Sequence, residues 1–238
     1  VSSPPAATAA PAPDPHDEIR AMWISYKEWE TMDFSSEAAF TEQAALLMEN
    51  CAFLGLNRVL VQVRPFADAI YPSELFPWSD LCTGAQGQAP GYDPLAILVE
   101  QAHSAGLAIE AWVNPYRVRL NASYPAGELA STNPAVQHPD WAKEAGGGIY
   151  LDPANPEVQA YIAAGVKEIL DNYPVDGIHF DDYFYPTTEE SFDEDAWAEA
   201  DTDLSLADWR RQNVNSLVSL VYRTVKEASP TAVFGISP

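Results

Sequence analysis

The chain has 238 residues, 47% of them hydrophobic, and a formal net charge of -23 from 12 basic and 35 acidic side chains. That length and composition suffice for one large domain with a substantial core. A balance this acidic excludes nucleic acid and anionic membrane surfaces as natural partners, because no basic footprint exists to meet them.

Residues 1–16 are rich in Ala and Pro and read as an extended tether, with the folded domain expected over 17–238. Such a segment follows a removed signal peptide or a lipid-anchored cysteine, or it links domains. The expectation drawn from it is an exported protein, extracellular or held in the cell envelope. Strand one is then expected over Ile19–Ile24. Ser36–Leu54 reads as a helix, with Phe40, Ala44, Leu47, Cys51 and Leu54 on one face and Gly55 as its stop. Val59–Val63 is strand two. Asp93-Pro94 gives an N-cap followed by a proline at the first helical position, opening a helix to about Ser104. Leu107–Val113 is strand three. Asn155-Pro156-Glu157 repeats the capping signal for a helix to about Asn172. Val175–Phe180 is strand four, Leu206–Ala228 a long helix, and Thr231–Ile236 strand five.

Strands separated by helical stretches imply βαβ units and a parallel sheet. The strand-to-helix loops are long (65–92, 114–154, 181–205) and the helix-to-strand turns are short. That asymmetry fits a TIM (β/α)8-type barrel whose active face is built from long loops. A doubly wound sheet competes, but no glycine-rich phosphate loop follows strand one. Five strands are found where a closed barrel needs eight, so the barrel is expected to be truncated after about five strands, with the remaining units beyond Pro238.

The polar positions of the strands fall on one face, spaced by two and near the strand C-terminal ends. They are Gln62 and Arg64 on strand two, Glu110, Trp112 and Asn114 on strand three, His179 and Asp181 on strand four, and Ser237 after strand five. Asp182 takes the opposite face from Asp181. Barrel interiors are normally packed with apolar side chains, so converging polar groups need partners or a ligand, and a purely structural polar network is the alternative. A carboxylate flanked by His and Arg keeps its charge, which suits Asp181 to act as a nucleophile or cation stabiliser, with His179 and Arg64 orienting it and Asn114 binding a substrate hydroxyl. Glycoside hydrolysis needs a second carboxyl group to protonate the leaving oxygen. Glu110 sits deep in its strand, and the acid is expected from a later strand. Tyr71, Tyr116, Arg117, Tyr183 and Tyr185 lie on the long loops as candidate contacts for sugar rings and hydroxyls; Arg117 serves equally well as the partner of a carboxylate. Trp209-Arg210-Arg211 opens the last helix and is expected to be structural, its arginines holding carboxylates of the loop; the acidic 189–203 stretch lacks the spacing of a calcium loop. Cys51 and Cys82 make neither a disulfide framework nor a zinc site, and the four histidines form no His-Glu-x-x-His pattern, so no metal or cofactor is expected. No run of about twenty apolar residues is present to cross a membrane.

Several motifs occur together and in order: Arg20-Ala-Met-Trp23, Gln62-Val-Arg64 with Asp68-Ala-Ile-Tyr-Pro-Ser73, Gly91-Tyr-Asp-Pro-Leu95, and Ala111-Trp-Val-Asn-Pro-Tyr-Arg117. Leu151-Asp-Pro153, Val175–Pro186, Asp208–Asn215 and Phe234–Pro238 follow. From Glu18 to the C-terminus the chain resembles the glycosyl hydrolase-like 10 family. The resemblance implies a TIM barrel on an exported or lipid-anchored bacterial protein. It also implies cleavage of peptidoglycan glycan strands and an association with cell-division or cell-wall machinery. Asp-Gly-Ile-His-Phe-Asp181 also resembles the fourth-strand motif of the α-amylase superfamily, whose final Asp is the nucleophile. A carbohydrate-binding barrel without turnover and a cell-wall scaffold remain the competing functions.

Overall fold

The computed structural model describes residues 18–181 and 184–237. The tether at 1–16, Asp182 and Tyr183 lie outside the described residues. In chain order the elements are β1 (Ala21–Ile24), α1 (Tyr26–Trp29), α2 (Glu37–Phe53), β2 (Arg58–Arg64), α3 (Asp80–Thr83), α4 (Pro94–Ser104), β3 (Ala108–Val113), β4 (Arg117–Arg119) and α5 (Pro134–Gln137). They continue with β5 (Ala142–Ala145), β6 (Gly148–Leu151), α6 (Pro156–Asn172), β7 (Gly177–Phe180), α7 (Glu194–Glu199), α8 (Leu206–Ala228) and β8 (Val233–Ile236).

The helices begin where side chains can satisfy their unpaired first-turn N–H groups. Ser36, Asp93, Asn155 and Ser205 each accept a backbone N–H of the turn they open. Five strands form one parallel sheet in the order β1-β2-β3-β7-β8. The order never reverses, as it must in a doubly wound sheet, so the architecture is that of a (β/α) barrel with the sheet left open between β1 and β8.

The two faces of the sheet differ in chemistry. Val59, Val61, Val63, Ile109, Ala111, Val113, Ile178 and Phe180 are sealed beneath the helices. Helix α2 packs on α4, and α6 on α8. The alternate positions carry Arg58, Gln62, Glu110, Trp112, Asn114 and His179 to the inner face. Gln62, Trp112, His179 and Gly235 stand side by side in register.

The segment between β3 and α6, expected as irregular loop, contains a second, antiparallel sheet in the order β4-β6-β5. Gly146 and Gly147 join β5 to β6 with φ of 56° and 81°, the two-residue turn that a tight hairpin requires.

Candidate active site

Asp181 directly follows β7 and is only 6% exposed. The Nδ2 amide of Asn114 donates to its Oδ2. Asn114 in turn accepts from the Nε2 of Gln62. Gln62 accepts the backbone N–H of Tyr26 through Oε1 at 2.8 Å, and its carbonyl takes the Trp29 indole N–H at 2.7 Å. Three residues at three consecutive strand ends are thereby joined, with the Tyr26 backbone, in one chain that reaches a carboxylate. Gln62, Asn114, His179 and Asp181 share a face, as their spacing predicts. Asn114 and Gln62 are buried and bonded to each other, and the Asn114 amide expected to bind a substrate hydroxyl donates to Asp181.

One layer deeper, Glu110 is sealed between two cations or potential cations. Arg58 donates from Nη1 to its Oε1, and the Nδ1 of His179 lies 3.5 Å from its Oε2. A Cβ on Gly235 would stand 2.9 Å from that Nδ1 and 3.4 Å from the glutamate oxygen, so the absence of a side chain there makes room for the pair. His179 and Trp112 both pack edge-on against Trp23, at 4.6 and 4.7 Å between centroids. Trp23 is 40% exposed and presents an open aromatic surface beside the site.

Arg64 departs from the expectation. The pairing of β2 with β3 slips between Gln62 and Arg64, so that Gln62 faces Trp112 and Arg64 faces Val113. A bulge of this kind reverses which face the following side chain takes. The Arg64 guanidinium therefore lies outside the sheet, 4.1 Å from the centroid of Phe76 and over Gly165 of α6, where a Cβ would fall 2.1 Å from Nη1. It neither orients nor neutralises Asp181.

Tyr71 and Tyr116 are also corrected: both rings are completely buried, Tyr71 against Tyr173, and neither can stack on a sugar. Burial holds the Tyr116 hydroxyl well above the usual tyrosine range. Tyr185 is partly buried in the acidic loop, where it accepts from Asn213 and packs on Phe192. Of the two arginines expected to hold that loop, Arg210 does so, with Nε at 3.0 Å from both oxygens of Asp193 and Nη2 on the Glu189 carbonyl at 2.7 Å, while Arg211 pairs with Asp208 of its own helix. Arg117 donates from Nε to the Pro65 carbonyl at 3.1 Å and lies over the rings of Phe66 and Tyr26. Those rings meet Tyr124 to form an aromatic wall contributed by three consecutive loops. The half-exposed Lys27 caps it, 3.9 Å from the Tyr124 centroid.

The sequence reading missed Trp23, Tyr26, Lys27, Arg58 and Tyr124. Trp23 had a legible signal: it stands at an inward position of the first strand, inside a motif already recognised. Among the described residues no three His, Cys, Asp or Glu side chains converge as a metal site.

The profile of the glycosyl hydrolase-like 10 family matches residues 18–238. The chain belongs to that family. It is 39% identical over 229 residues to the glycosyl hydrolase YngK of Bacillus subtilis (strain 168), covering 93% of this chain and 45% of that one. It is 38% identical over 258 residues to the glycosyl hydrolase DigH of Escherichia coli (strain K12), covering 99% and 59%. The chain thus spans about half the length of these relatives. Among solved structures the fold resembles α-L-fucosidase isoenzyme 2 from Paenibacillus thiaminolyticus, with a TM-score of 0.54 at 13% identity over 90% of this chain and 29% of that one. It also resembles the GH36 α-galactosidase AgaA from Geobacillus stearothermophilus, with a TM-score of 0.52 at 17% identity over 93% and 28%. At those identities the likeness bears on the fold alone.

Proposed function

We propose that this family member forms the catalytic-carboxylate half of a glycoside hydrolase acting on a bacterial glycan, with peptidoglycan glycan strands as its substrate. The observation that carries the reading is Asp181: a buried carboxylate at the C-terminal end of a barrel strand, fixed by an amide that donates to it. Chemistry in such barrels gathers at that end. A carboxylate fixed in this way is suited to attack an anomeric carbon or to stabilise a developing oxocarbenium ion. His179 shares its face of the strand, and Trp23 with the partly exposed Tyr26 and Tyr124 rings, backed by the buried Phe66, supplies flat surfaces for sugar rings.

Glycosidic cleavage also needs a proton on the leaving oxygen. Glu110 is poorly placed as a donor, because it lies deep in the strand with one oxygen already bonded to Arg58 and the other beside His179. The acid therefore comes from another part of the full-length protein, whose relatives are about twice as long as this chain. The Ala- and Pro-rich segment ahead of the domain suits export to the cell envelope, where wall glycan and the division machinery are met.

Full-length protein incubated with purified wall glycan should release reducing ends. Asp181→Asn should lower that release about a hundredfold or more. Equal release from both proteins would remove Asp181 from the mechanism. Glycan binding with no release from either would favour a binding module, the reading to which the open Trp23 surface also lends itself.

A further inference from the structure

The hydrogen-bond chain that ends on Asp181 begins at a group that has no choice of polarity. Tyr26 is the first residue of α1, and a first-turn N–H has no acceptor within its own helix. That N–H can only donate, and it meets Gln62 at 2.8 Å. The atom of Gln62 that faces it must therefore be the carbonyl oxygen, which settles the amide orientation that carbon, nitrogen and oxygen positions alone leave ambiguous. The Gln62 NH2 group then faces Asn114 and, being only a donor, requires the Asn114 carbonyl oxygen opposite it. The Asn114 NH2 group is left facing Asp181. Each link is forced by the one before it. The start is held rigidly as well: the Ser25–Glu28 capping box closes α1, with the Ser25 N–H on Glu28 at 2.7 Å, and the Trp29 indole pins the same turn to the Gln62 carbonyl.

We infer that Gln62 and Asn114 are positioning residues that form a one-way amide relay, which carries the donor character of the Tyr26 backbone N–H to Asp181 and keeps that carboxylate ionised. The inference assigns both residues a role in place of substrate contact. It rests on the reading of Asp181 as the working carboxylate only for its significance, not for its test. An N–H donated to a carboxylate favours the charged form, and a carbonyl oxygen in the same place favours the protonated one. The relay is therefore reversible by a single isosteric change. Gln62→Glu replaces the donor facing Asn114 with an acceptor. The Asn114 amide must then turn over to donate to it, and its oxygen comes to face Asp181.

The experiment follows the Asp181 carboxyl by 13C NMR titration in the full-length protein without substrate, so that it does not depend on turnover. The Gln62→Glu variant should titrate at Asp181 at least one pH unit above wild type, a tenfold gain in proton affinity, with an unchanged fold by circular dichroism. If the relay carries the effect, the shift should vanish when Gln62→Glu is combined with Asn114→Ala and compared with Asn114→Ala alone. A shift that persists in that background is direct charge repulsion and overturns the relay, as does an unmoved midpoint in the folded single variant. Should the carboxylate at position 62 prevent folding, Gln62→Met removes the donor without adding charge. There a smaller upward shift supports the relay and an unmoved midpoint overturns it. Loss of glycan cleavage by the full-length Asp181→Asn protein would bear on the proposed function and leave this result untouched.

Discussion

Glu110 and Asp68 are both sealed from water, and the chain treats their charge in opposite ways. Glu110 lies on the inner face of the sheet with a guanidinium against one oxygen and an imidazole beside the other. Asp68 lies in the β2–α4 loop with no cation at all: among the described residues neither it nor its neighbour Asp80 makes an ion pair. Its hydrogen-bond partners are neutral: the Gln86 amide at 3.0 Å, the Ser79 side chain and the Phe66 backbone. That amide also accepts from Ala130 and Asn133, while Asp80 accepts the Ala126 N–H at 2.8 Å. The two acids thus clasp the loop after β2 to the loop after β3. Burial, with Asp80 adding to it, pushes the Asp68 carboxyl up to about 7, and burial raises Asp80 as well. A buried charge needs a counter-charge or a proton. The sheet supplies the first and the loop clasp takes the second.

The harshest way to break this comparison is to make Glu110 resemble Asp68. Arg58→Met removes the guanidinium and leaves the carboxylate in place. Deleting one member of a buried ion pair costs about 3–5 kcal/mol, and the denaturation midpoint at pH 7 should fall accordingly. A loss under 1 kcal/mol would mean that water reaches Glu110 through the open side of the sheet.

The converse change makes Asp68 permanently neutral. Its folded value lies above the ordinary 3.8, so the native state holds a proton that the unfolded chain releases. The stability this contributes is complete below about pH 4 and is lost as pH rises through 7. Asp68→Asn should therefore match wild type near pH 4 and exceed it at pH 8, by on the order of 4 kcal/mol. Thermal melts across that range test the sign. A variant less stable than wild type at pH 8 would show that the charge is compensated after all.

Much of this was legible in the sequence. The period of two in Val59–Val63 and Leu107–Val113 placed the strands, and the Asp93-Pro94 and Asn155-Pro156 pairs placed α4 and α6, because both signals are local. The inward set Gln62, Asn114, His179 and Asp181 followed from strand alternation. Arg64 failed under the same rule: its direction depends on a slip against β3, a pairing that the residues of β2 do not encode by themselves. Tyr71 and Tyr116 failed because being on a long loop says nothing of depth, and these loops fold back over the core. The β5–β6 hairpin was readable from Gly146-Gly147 and was hidden by the assumption that long loops carry no sheet. The Asp68–Asp80 pairing joins residues on separate turns of one loop, and no period announces it.

The smallest effect is the one that separates the two causes acting on Asp68. Burial alone and burial beside a second carboxyl group predict different midpoints. Asp80→Asn keeps an oxygen to accept the Ala126 N–H and removes the neighbouring negative charge. Desolvation is the leading cause of the upward shift, and Asp80 acts behind it. The pH at which stability is lost should therefore move down by less than about one unit, because an interaction between partly screened charges amounts to about 1 kcal/mol and one unit corresponds to 1.36 kcal/mol. The same variant should leave the response to Arg58→Met unchanged, since the inner face and the loop clasp share no partner and distant sites add. If the midpoint stays where it is, Asp68 is governed by burial alone. If it drops back to the ordinary carboxylate range, the two acids share one proton, and the clasp closes through that proton and not through Gln86.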